Sequence, residues 1–279
     1  MSGLAADARA FAAAARTYLR QQRRYPTYFV GLLIWPVMMP ASWVLMGHAY
    51  SGNDPSAIAA FAERAGTTSV AGFVFVGFAM YMWLSTLLWG PGTALRQEQL
   101  RGSLEAVFLT PASRVVPLFG PGVALLIPMF ATFLVMGLAL WIFFGIVPPL
   151  DAVARAVVIV ILAIPSLYAI GALFAASVLR FGETGPLVQL VRGIFVLACG
   201  VTFPVAMLPS WAQLGAAALP PTYIVADIRA VLFRGAALGA VWPDVALVLT
   251  IAVVTAALAV VVFRVLETSA RRSGMLSRF

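Results

Sequence analysis

A dense group of charged side chains lies in the stretch LRQEQLRGSLEAVFLTPASR. If this stretch is helical, Glu98, Arg101 and Glu105 share one face, because residues spaced i, i+3 and i+7 line up along a helix. Arg101 can then pair with both acids, while Leu and Phe side chains cover a broad opposite face. Gly102 interrupts this helix and Pro111 ends it. A charged stripe opposite an apolar face favours docking on another protein, and the alternative is an element that only caps a loop.

Several kinds of chemistry are excluded by residues that the sequence lacks. The chain contains no Lys, so it has no P-loop, in which a Lys contacts the phosphates of ATP. With His48 as the only His, a His-pair zinc site and an HExxH protease are excluded. A GxSxG nucleophile motif is also absent. The sequence therefore predicts a chain that is not an enzyme and carries no cofactor or metal of its own.

The composition indicates the scaffold that holds the charged stretch. Hydrophobic residues make up 62% of the chain and charged residues only 10%, and the mean hydropathy is +0.99. Between the charges lie six long uncharged intervals, each able to hold the roughly 20 apolar residues that cross a bilayer as a helix. These intervals are 25–53, 65–95, 115–150, 156–179, 193–226 and 245–263. The pattern predicts an all-α membrane protein with six transmembrane helices.

The distribution of Arg predicts the orientation of these spans. If both termini are inside, 14 of the 18 Arg residues fall in inner segments and only Arg64, Arg155, Arg229 and Arg234 fall in outer ones. This bias makes the net charge of +8 an orientation signal rather than a sign of nucleic-acid binding. Because every basic residue is Arg, a GC-rich genome is indicated. We therefore expect a multi-pass protein of a bacterial plasma membrane with both termini cytoplasmic.

The chain divides into a short surface helix and one membrane domain. In residues 1–24, Leu4, Phe11 and Tyr18 fall on one helix face and five Arg side chains on the other, a pattern typical of an amphipathic interfacial helix. Packing of this helix on a partner protein is the alternative. Residues 25–279 show no internal repeat and no linker, so they are interpreted as one six-span domain.

Several boundaries follow from turn residues within the domain. The stretch YSGNDPSAIAAFAERAGTT is interpreted as an outer loop, the third span is expected to reach Gly145, and the fifth to start near Leu187. Between the fifth and sixth spans, residues of about 207–235 are too apolar for a solvated loop and too rich in Pro for one helix. This segment predicts two short helices that re-enter the membrane from outside.

Two of these stretches, taken together, resemble the ABC transporter type-2 permease family. In that family's cytoplasmic motif an acidic residue precedes Gly-Thr-Leu-Glu, and a Pro follows. Here Gly102, Ser103, Leu104 and Glu105 match, with Ser in place of Thr, and Pro111 takes the proline position. The later stretch is similar to the family's outer signature at Phe203, Pro204, Leu208, Pro209, Trp211, Pro221, Tyr223, Asp227 and Arg229, with Pro220 as an alternative to Pro221. The resemblance covers nearly the whole chain.

The resemblance implies a membrane subunit of an ATP-driven exporter. Two such permeases, identical or homologous, pair with two separate ATPase subunits, which bind the ATP and Mg²⁺. Residues of about 95–111 then form the cytoplasmic coupling helix, with Glu98, Arg101, Gly102, Ser103, Leu104, Glu105 and Pro111 as its coupling residues. The implied substrate path, between the second and fifth spans, has Phe73, Phe75, Phe78, Met80, Tyr81, Phe195 and Phe203 as candidate lining residues. Their aromatic and Met character favours a drug-like, lipid or other amphipathic cargo.

Other functions stay open from the sequence. A polysaccharide exporter belongs to the same family. An ion-coupled or facilitative transporter is disfavoured because no acid falls inside the six uncharged intervals, and coupling ions need a ligand within the membrane. A membrane enzyme lacks its catalytic residues. A scaffold that does not transport would use the charged stretch only to bind a partner.

Overall fold

The computed structural model describes residues 26–51, 54–90, 125–181 and 184–273, with eight isolated residues (9, 12, 13, 16, 20, 93, 100 and 102). These ranges form nine α-helices and one short 3-10 turn, and no strand occurs within them. The helices are α1 Pro26–Ser51, α2 Pro55–Ala65, α3 Val70–Trp89, α4 Leu126–Phe144, α5 Leu150–Phe181, α6 Thr184–Ala198, α7 Ser210–Ala217, α8 Pro220–Arg234 and α9 Leu238–Ser273. The predicted all-α class is confirmed for this part of the chain.

Within the described ranges, four helices are long and apolar enough to cross a membrane: α3, α4, α5 and α9. The α7–α8 pair meets at an angle of 90° and would be a fifth span if it counts as one. Exposed side chains such as Ile142, Phe143 and Val253 suit contact with lipid, because nothing in the described ranges covers them. The chain is thus a membrane-embedded helical protein, and the count of six spans stays a prediction.

Helix α3 forms the centre of the bundle. All but three of its 20 residues are buried, and α1, α4, α5, α6 and α8 pack around it. A helix that is apolar on every face is expected to be enclosed in this way. We call the end of the bundle at which α3 begins the upper end, and the end at which it finishes the lower end. The Arg distribution predicts that the upper end faces outside.

The second packing unit of the bundle is formed by α5 and α9, with α8 against both. Small residues such as Ala156 and Ala163 of α5 and Ala252 and Ala259 of α9 are buried. Small side chains let two helix backbones approach closely in a membrane, where van der Waals packing takes over from hydrophobic burial as the source of helix association. This packing holds α8 in place beside α3.

The stretch interpreted as an outer loop is in fact largely helix α2, so that interpretation was wrong. Asp54 caps the helix by accepting a hydrogen bond from the backbone N–H of Ser56 (2.9 Å), and Pro55 occupies the first turn. Gly66 ends the helix with a φ of 68°, a conformation that Gly adopts without strain. These are ordinary helix start and stop signals. The polar residues around them favoured the interpretation as a loop, although the stretch forms a short amphipathic helix.

We expect Asp54→Ala to loosen the start of α2. Hydrogen bonds from the backbone and side chain of Ser56 hold the pKa of the Asp54 carboxyl below its ordinary value. The capping contribution is therefore present at neutral pH and is lost as the pH falls through that lowered pKa. Hydrogen exchange of the α2 amides should become several-fold faster in Asp54→Ala at neutral pH, while Glu63→Gln, an exposed change in the same helix, should leave it unchanged. Equal exchange in Asp54→Ala and the unmodified chain would contradict the capping role.

The structure also bears on the other boundaries that the sequence predicted. Helix α4 ends before Gly145, whose φ is 64°, so the predicted end of the third span is confirmed. Residues 207–235 contain two helices, α7 and α8, as expected. Helix α6 has only 15 residues, short of the roughly 20 that cross a bilayer. Most of residues 1–24 lies outside the described residues, although Arg9, Arg16 and Arg20 are helical and exposed.

Candidate functional site

A buried arginine joins three elements at the upper end of the bundle. Arg229 of α8 is only 7% exposed. Its Nε and Nη2 donate to the carbonyl oxygen of Phe73 (3.1 and 2.6 Å). Nη1 donates to the carbonyl of Gly200 (2.7 Å) and Nη2 also to that of Val201 (3.2 Å). We call Arg229 with these three carbonyl groups the arginine clamp.

Two of the three carbonyl groups in the clamp lie outside any helix. Gly200 and Val201 follow the end of α6 at Ala198, so their carbonyls need a partner from outside the intrahelical hydrogen bonds. The negative end of the α6 dipole adds to the attraction for a cation. The guanidinium carbon also lies 3.3 Å from the centre of the Phe73 ring, within range of a cation–π interaction. Among the residues that the structure describes, no carboxylate contacts Arg229, and carbonyl groups and the Phe73 ring hold its buried charge.

A glycine makes room for this arrangement. A Cβ atom on Gly77 of α3 would lie 2.2 Å from the carbonyl oxygen of Val201 and 2.6 Å from Nη2 of Arg229. Gly200 has a φ of 68°, which turns the chain after α6 so that its carbonyl faces the guanidinium. The clamp therefore depends on close backbone approach between α3 and the segment after α6.

Most of the other residues in the proposed outer signature build the corner next to the clamp. Pro204 is buried before the 3-10 turn Val205–Met207, and Pro209 precedes α7. Pro221 lies buried in the first turn of α8. The hydroxyl of Tyr223 donates to the carbonyl of Ala217 (2.8 Å) and so joins α8 to the end of α7. Trp211 points away from this corner and is 76% exposed.

Asp227 and Arg229 belong to the same proposed signature but serve different neighbours. Two residues apart on a helix, they do not face each other, and they form no ion pair within the described residues. Asp227 is 3% exposed and interacts with Asp244 of α9 and with Arg234. Its Oδ2 atom is buried without a hydrogen-bond partner. The upper end thus holds a satisfied buried cation and, towards α9, an incompletely satisfied carboxyl group.

The candidate substrate-path residues are mostly buried inside this single chain. Phe73 contacts Phe61 with ring centres 5.3 Å apart, and Phe78 contacts Tyr81 at 5.7 Å. Phe75 lines an apolar cavity of about 170 Å³ between α3, α4, α5 and α8. Met80 and Phe195 belong to two different buried clusters, and Phe203 is half-buried. The structure does not bring these residues to one surface, and their role in a path stays a prediction.

The charged stretch after α3 lies almost entirely outside the described residues. Glu98, Arg101, Ser103, Leu104, Glu105 and Pro111 are all in this part of the chain. Leu100 is 63% exposed, and Gly102 has a φ of 72°. The coupling helix and its interruption at Gly102 stay predictions.

One residue that the sequence analysis did not single out is Arg192. It was counted with the inner Arg residues, yet it lies two turns inside α6, with its guanidinium carbon 5.2 Å from the centre of the Tyr81 ring in the middle of α3. The available signal was an Arg flanked by apolar residues on both sides. In the described ranges, no three His, Cys, Asp or Glu side chains are close enough to hold a metal ion.

Comparison with known proteins finds no family model that matches this chain and no curated protein that matches it. The bundle holds one arginine, Arg229, in the clamp at its upper end and another, Arg192, in its lower half. Neither the clamp nor the surroundings of Arg192 presents a nucleophile next to a general base.

Proposed function

We propose that this chain is the membrane-spanning permease subunit of an ATP-driven exporter of the ABC type-2 class. The observation that carries the proposal is the position of α3. Its upper end is held by the arginine clamp, and at its lower end the chain runs from Trp89 into the charged stretch within a few residues. A buried helix of 20 residues, about 30 Å long, would carry movement from that stretch to the corner of α6, α7 and α8.

The coupling mechanism follows from this placement. Two separate ATPase subunits would bind ATP and Mg²⁺ and dock on the face formed by Glu98, Arg101 and Glu105 in each of two permease chains. Their closure would push on the coupling helix and shift α3, and with it the contacts that differ between the inward and outward states. The arginine clamp is the contact at the upper end that such a shift of α3 would strain first.

The finer architecture belongs to the same proposal. The six spans would be α1, α3, α4, α5, α6 and α9, with α6 extended by the turn after Ala198. The bent pair α7 and α8 would re-enter the membrane from the outer side, and residues 1–24 would lie in the cytoplasmic headgroup layer. This arrangement suits a bacterial plasma membrane with both termini inside. The cargo would be a drug-like, lipid or other amphipathic compound, or alternatively a polysaccharide.

A second candidate is an ion-coupled transporter, and one specific observation favours it. Within the described residues the buried Oδ2 of Asp227 has no hydrogen-bond partner, and a buried carboxyl next to Asp244 is the type of group that a coupling ion uses. The two candidates differ in their energy source. Collapse of the proton gradient with ATP held constant should leave export by the ATP-driven assembly intact and stop an ion-coupled one.

The proposal is tested by purification of the chain in mild detergent together with the ATPase encoded beside it. A complex with two permease chains and two ATPase chains, whose ATP turnover responds to the candidate cargo, is the expected result. Recovery of the chain without any ATPase under several mild conditions would contradict the proposal and favour a scaffold or a facilitative transporter. Stoichiometry from the same sample distinguishes identical from different permease chains.

We expect Glu105→Arg to weaken binding of the ATPase at least about tenfold, because charge reversal at a docked ion pair typically costs a few kcal/mol. Glu63→Arg, the same charge change on the exposed face of α2 at the upper end, is the matched control and should leave binding unchanged. The measurement is titration of the purified permease with labelled ATPase. Equal affinity for the Glu105→Arg and Glu63→Arg variants would remove the coupling role of this stretch.

A further inference from the structure

A groove lined by an arginine and otherwise by uncharged residues lies in the lower half of the bundle, between α1, α3, α4 and α6. Its volume is about 580 Å³, within the roughly 300–1,000 Å³ of small-molecule sites. Its lining includes Trp35 and Pro36 of α1, Met82, Ser85 and Trp89 of α3, and Arg192 of α6. Arg192 is the one charged residue of the lining within the described part of the chain.

The guanidinium of Arg192 has donors that the protein does not use. Nη1 donates to Oε1 of Gln189 (3.0 Å), and the group lies beside the Tyr81 ring. Nε is buried without an acceptor, and within the described residues no acidic side chain pairs with Arg192. Arg192 as a whole is half-buried, but a buried N–H such as its Nε is normally paired with an acceptor. An anion in the groove would supply that acceptor and would also balance the charge of the guanidinium.

A second unused donor lines the same groove. Ser85 is 7% exposed, and its hydroxyl takes part in no hydrogen bond within the described residues. By contrast, the hydroxyls of Thr86 and Thr132 donate to carbonyls of their own helices, those of Met82 (2.8 Å) and Pro128 (3.0 Å). Arg192 and Ser85 are therefore two side chains of the lining whose donors could bind an incoming oxyanion.

The rest of the lining is apolar and aromatic. Trp35 is 52% and Trp89 42% exposed, and Met82 and Pro36 complete the walls between them. Trp and Met surfaces of this kind accept an aliphatic or ring-shaped body without a fixed geometry. The lining thus combines a small polar patch with a larger apolar wall, which matches a molecule with one charged end.

We propose that this groove binds an anionic amphipathic molecule, with a phosphate or carboxylate head on Arg192 and Ser85 and an apolar body between Trp35 and Trp89. Since it rests on the proposed function, the inference also names the cargo class: the groove would receive an anionic amphiphile from the inner leaflet. The same head chemistry occurs on a resident membrane lipid, so the test must separate cargo from lipid.

The first arm of the test measures binding to the purified chain alone. Native mass spectrometry in dodecyl maltoside would titrate the chain with dodecyl phosphate, and separately with inorganic phosphate. We expect Arg192→Gln to weaken binding of dodecyl phosphate at least tenfold, Ser85→Ala to weaken it less, and inorganic phosphate to bind far more weakly than dodecyl phosphate. Arg155→Gln, which removes an equal charge near the upper end of α5, should have no effect.

Two results of this arm would overturn the proposal. One is equal affinity for dodecyl phosphate in Arg192→Gln and in the unmodified chain. The other is binding of inorganic phosphate as tight as that of dodecyl phosphate, which would leave the apolar wall without a role. If Arg192→Gln does not fold, Arg192→Lys keeps the charge but loses the planar fork and should give an intermediate affinity; an affinity equal to that of the unmodified chain would again count against the site.

The second arm uses the complex with the ATPase. Stimulation of ATP turnover by dodecyl phosphate, lost in Arg192→Gln but kept in Arg155→Gln, would support the cargo class. Binding without any stimulation would overturn the cargo assignment and identify the occupant as a resident lipid. Because the first arm needs no ATPase, failure of the complex to form would count against the exporter and leave the anion site standing.

Discussion

Replacement of Arg229 by Met is expected to destabilise the folded chain by several kcal/mol. The clamp satisfies the carbonyls of Gly200 and Val201 after the end of α6, and each buried polar group left without a partner costs about 1–3 kcal/mol. Met has a similar length but no donor, so both carbonyls stay buried and unpaired. A loss of this size is a large fraction of the 5–15 kcal/mol that typically stabilises a folded protein.

The measurement can use the single Cys of the chain. Cys199 is 1% exposed and directly precedes Gly200 in the clamp, so its reaction with a thiol-reactive fluorophore reports opening of this region. In a thermal ramp in mild detergent, Arg229→Met should react at a clearly lower temperature than the unmodified chain. Arg229→Lys keeps the charge but cannot reach three carbonyls at once, and should fall between the two.

The matched control is Arg64→Met, which removes the same charge from an exposed position in the last turn of α2. Exposed substitutions of this kind usually change stability by no more than about 0.5 kcal/mol. If Arg229→Met and Arg64→Met label Cys199 at the same temperature, the carbonyl contacts of Arg229 do not stabilise the fold, and the charge alone accounts for any common shift.

The clamp also illustrates what the sequence could and could not predict. Each of the four helices in the described ranges that could cross a membrane overlaps one of the six uncharged intervals, because a bilayer sets the length of a span whatever its side chains do. The same procedure assigned Arg229 to an outer segment, since a charge normally marks the end of a span. Its partners are backbone carbonyls, which every residue carries, so no residue type in the sequence marks them.

For a related reason, the sequence could not predict the surroundings of the candidate substrate-path residues. Lipid tails are as apolar as a protein interior, so an apolar run does not tell a lipid-facing helix from an enclosed one. Phe73 and Phe78 on α3 are buried, whereas Ile142 and Phe143 on α4 face outward, although both helices are apolar throughout. Likewise, Arg192, Ser85 and Trp35 come from three helices, and only the packing of those helices brings them to one groove.

The substitution Gly77→Ala is expected to destabilise the chain by about 3 kcal/mol, near the upper end of the usual cost of overpacking. The new methyl group would lie 2.2 Å from the carbonyl oxygen of Val201. A backbone atom cannot rotate out of the way, so α3 must move away from the segment after α6. That movement lengthens the hydrogen bonds from Arg229 to Phe73 and Val201 at the same time.

Gly137→Ala in α4 is the matched control, because a Cβ there meets nothing within 4 Å. Ala is the better helix former, so this change should be neutral or slightly stabilising. The sign of the two effects in the same unfolding assay thus separates helix propensity from close approach.

The double variant Gly77→Ala with Arg229→Met adds a further requirement. Since both changes break the same clamp, their combined cost should be clearly less than the sum of the two single costs. Fully additive costs would mean that Gly77 and Arg229 act at independent contacts, and that close approach at Gly77 does not serve the clamp.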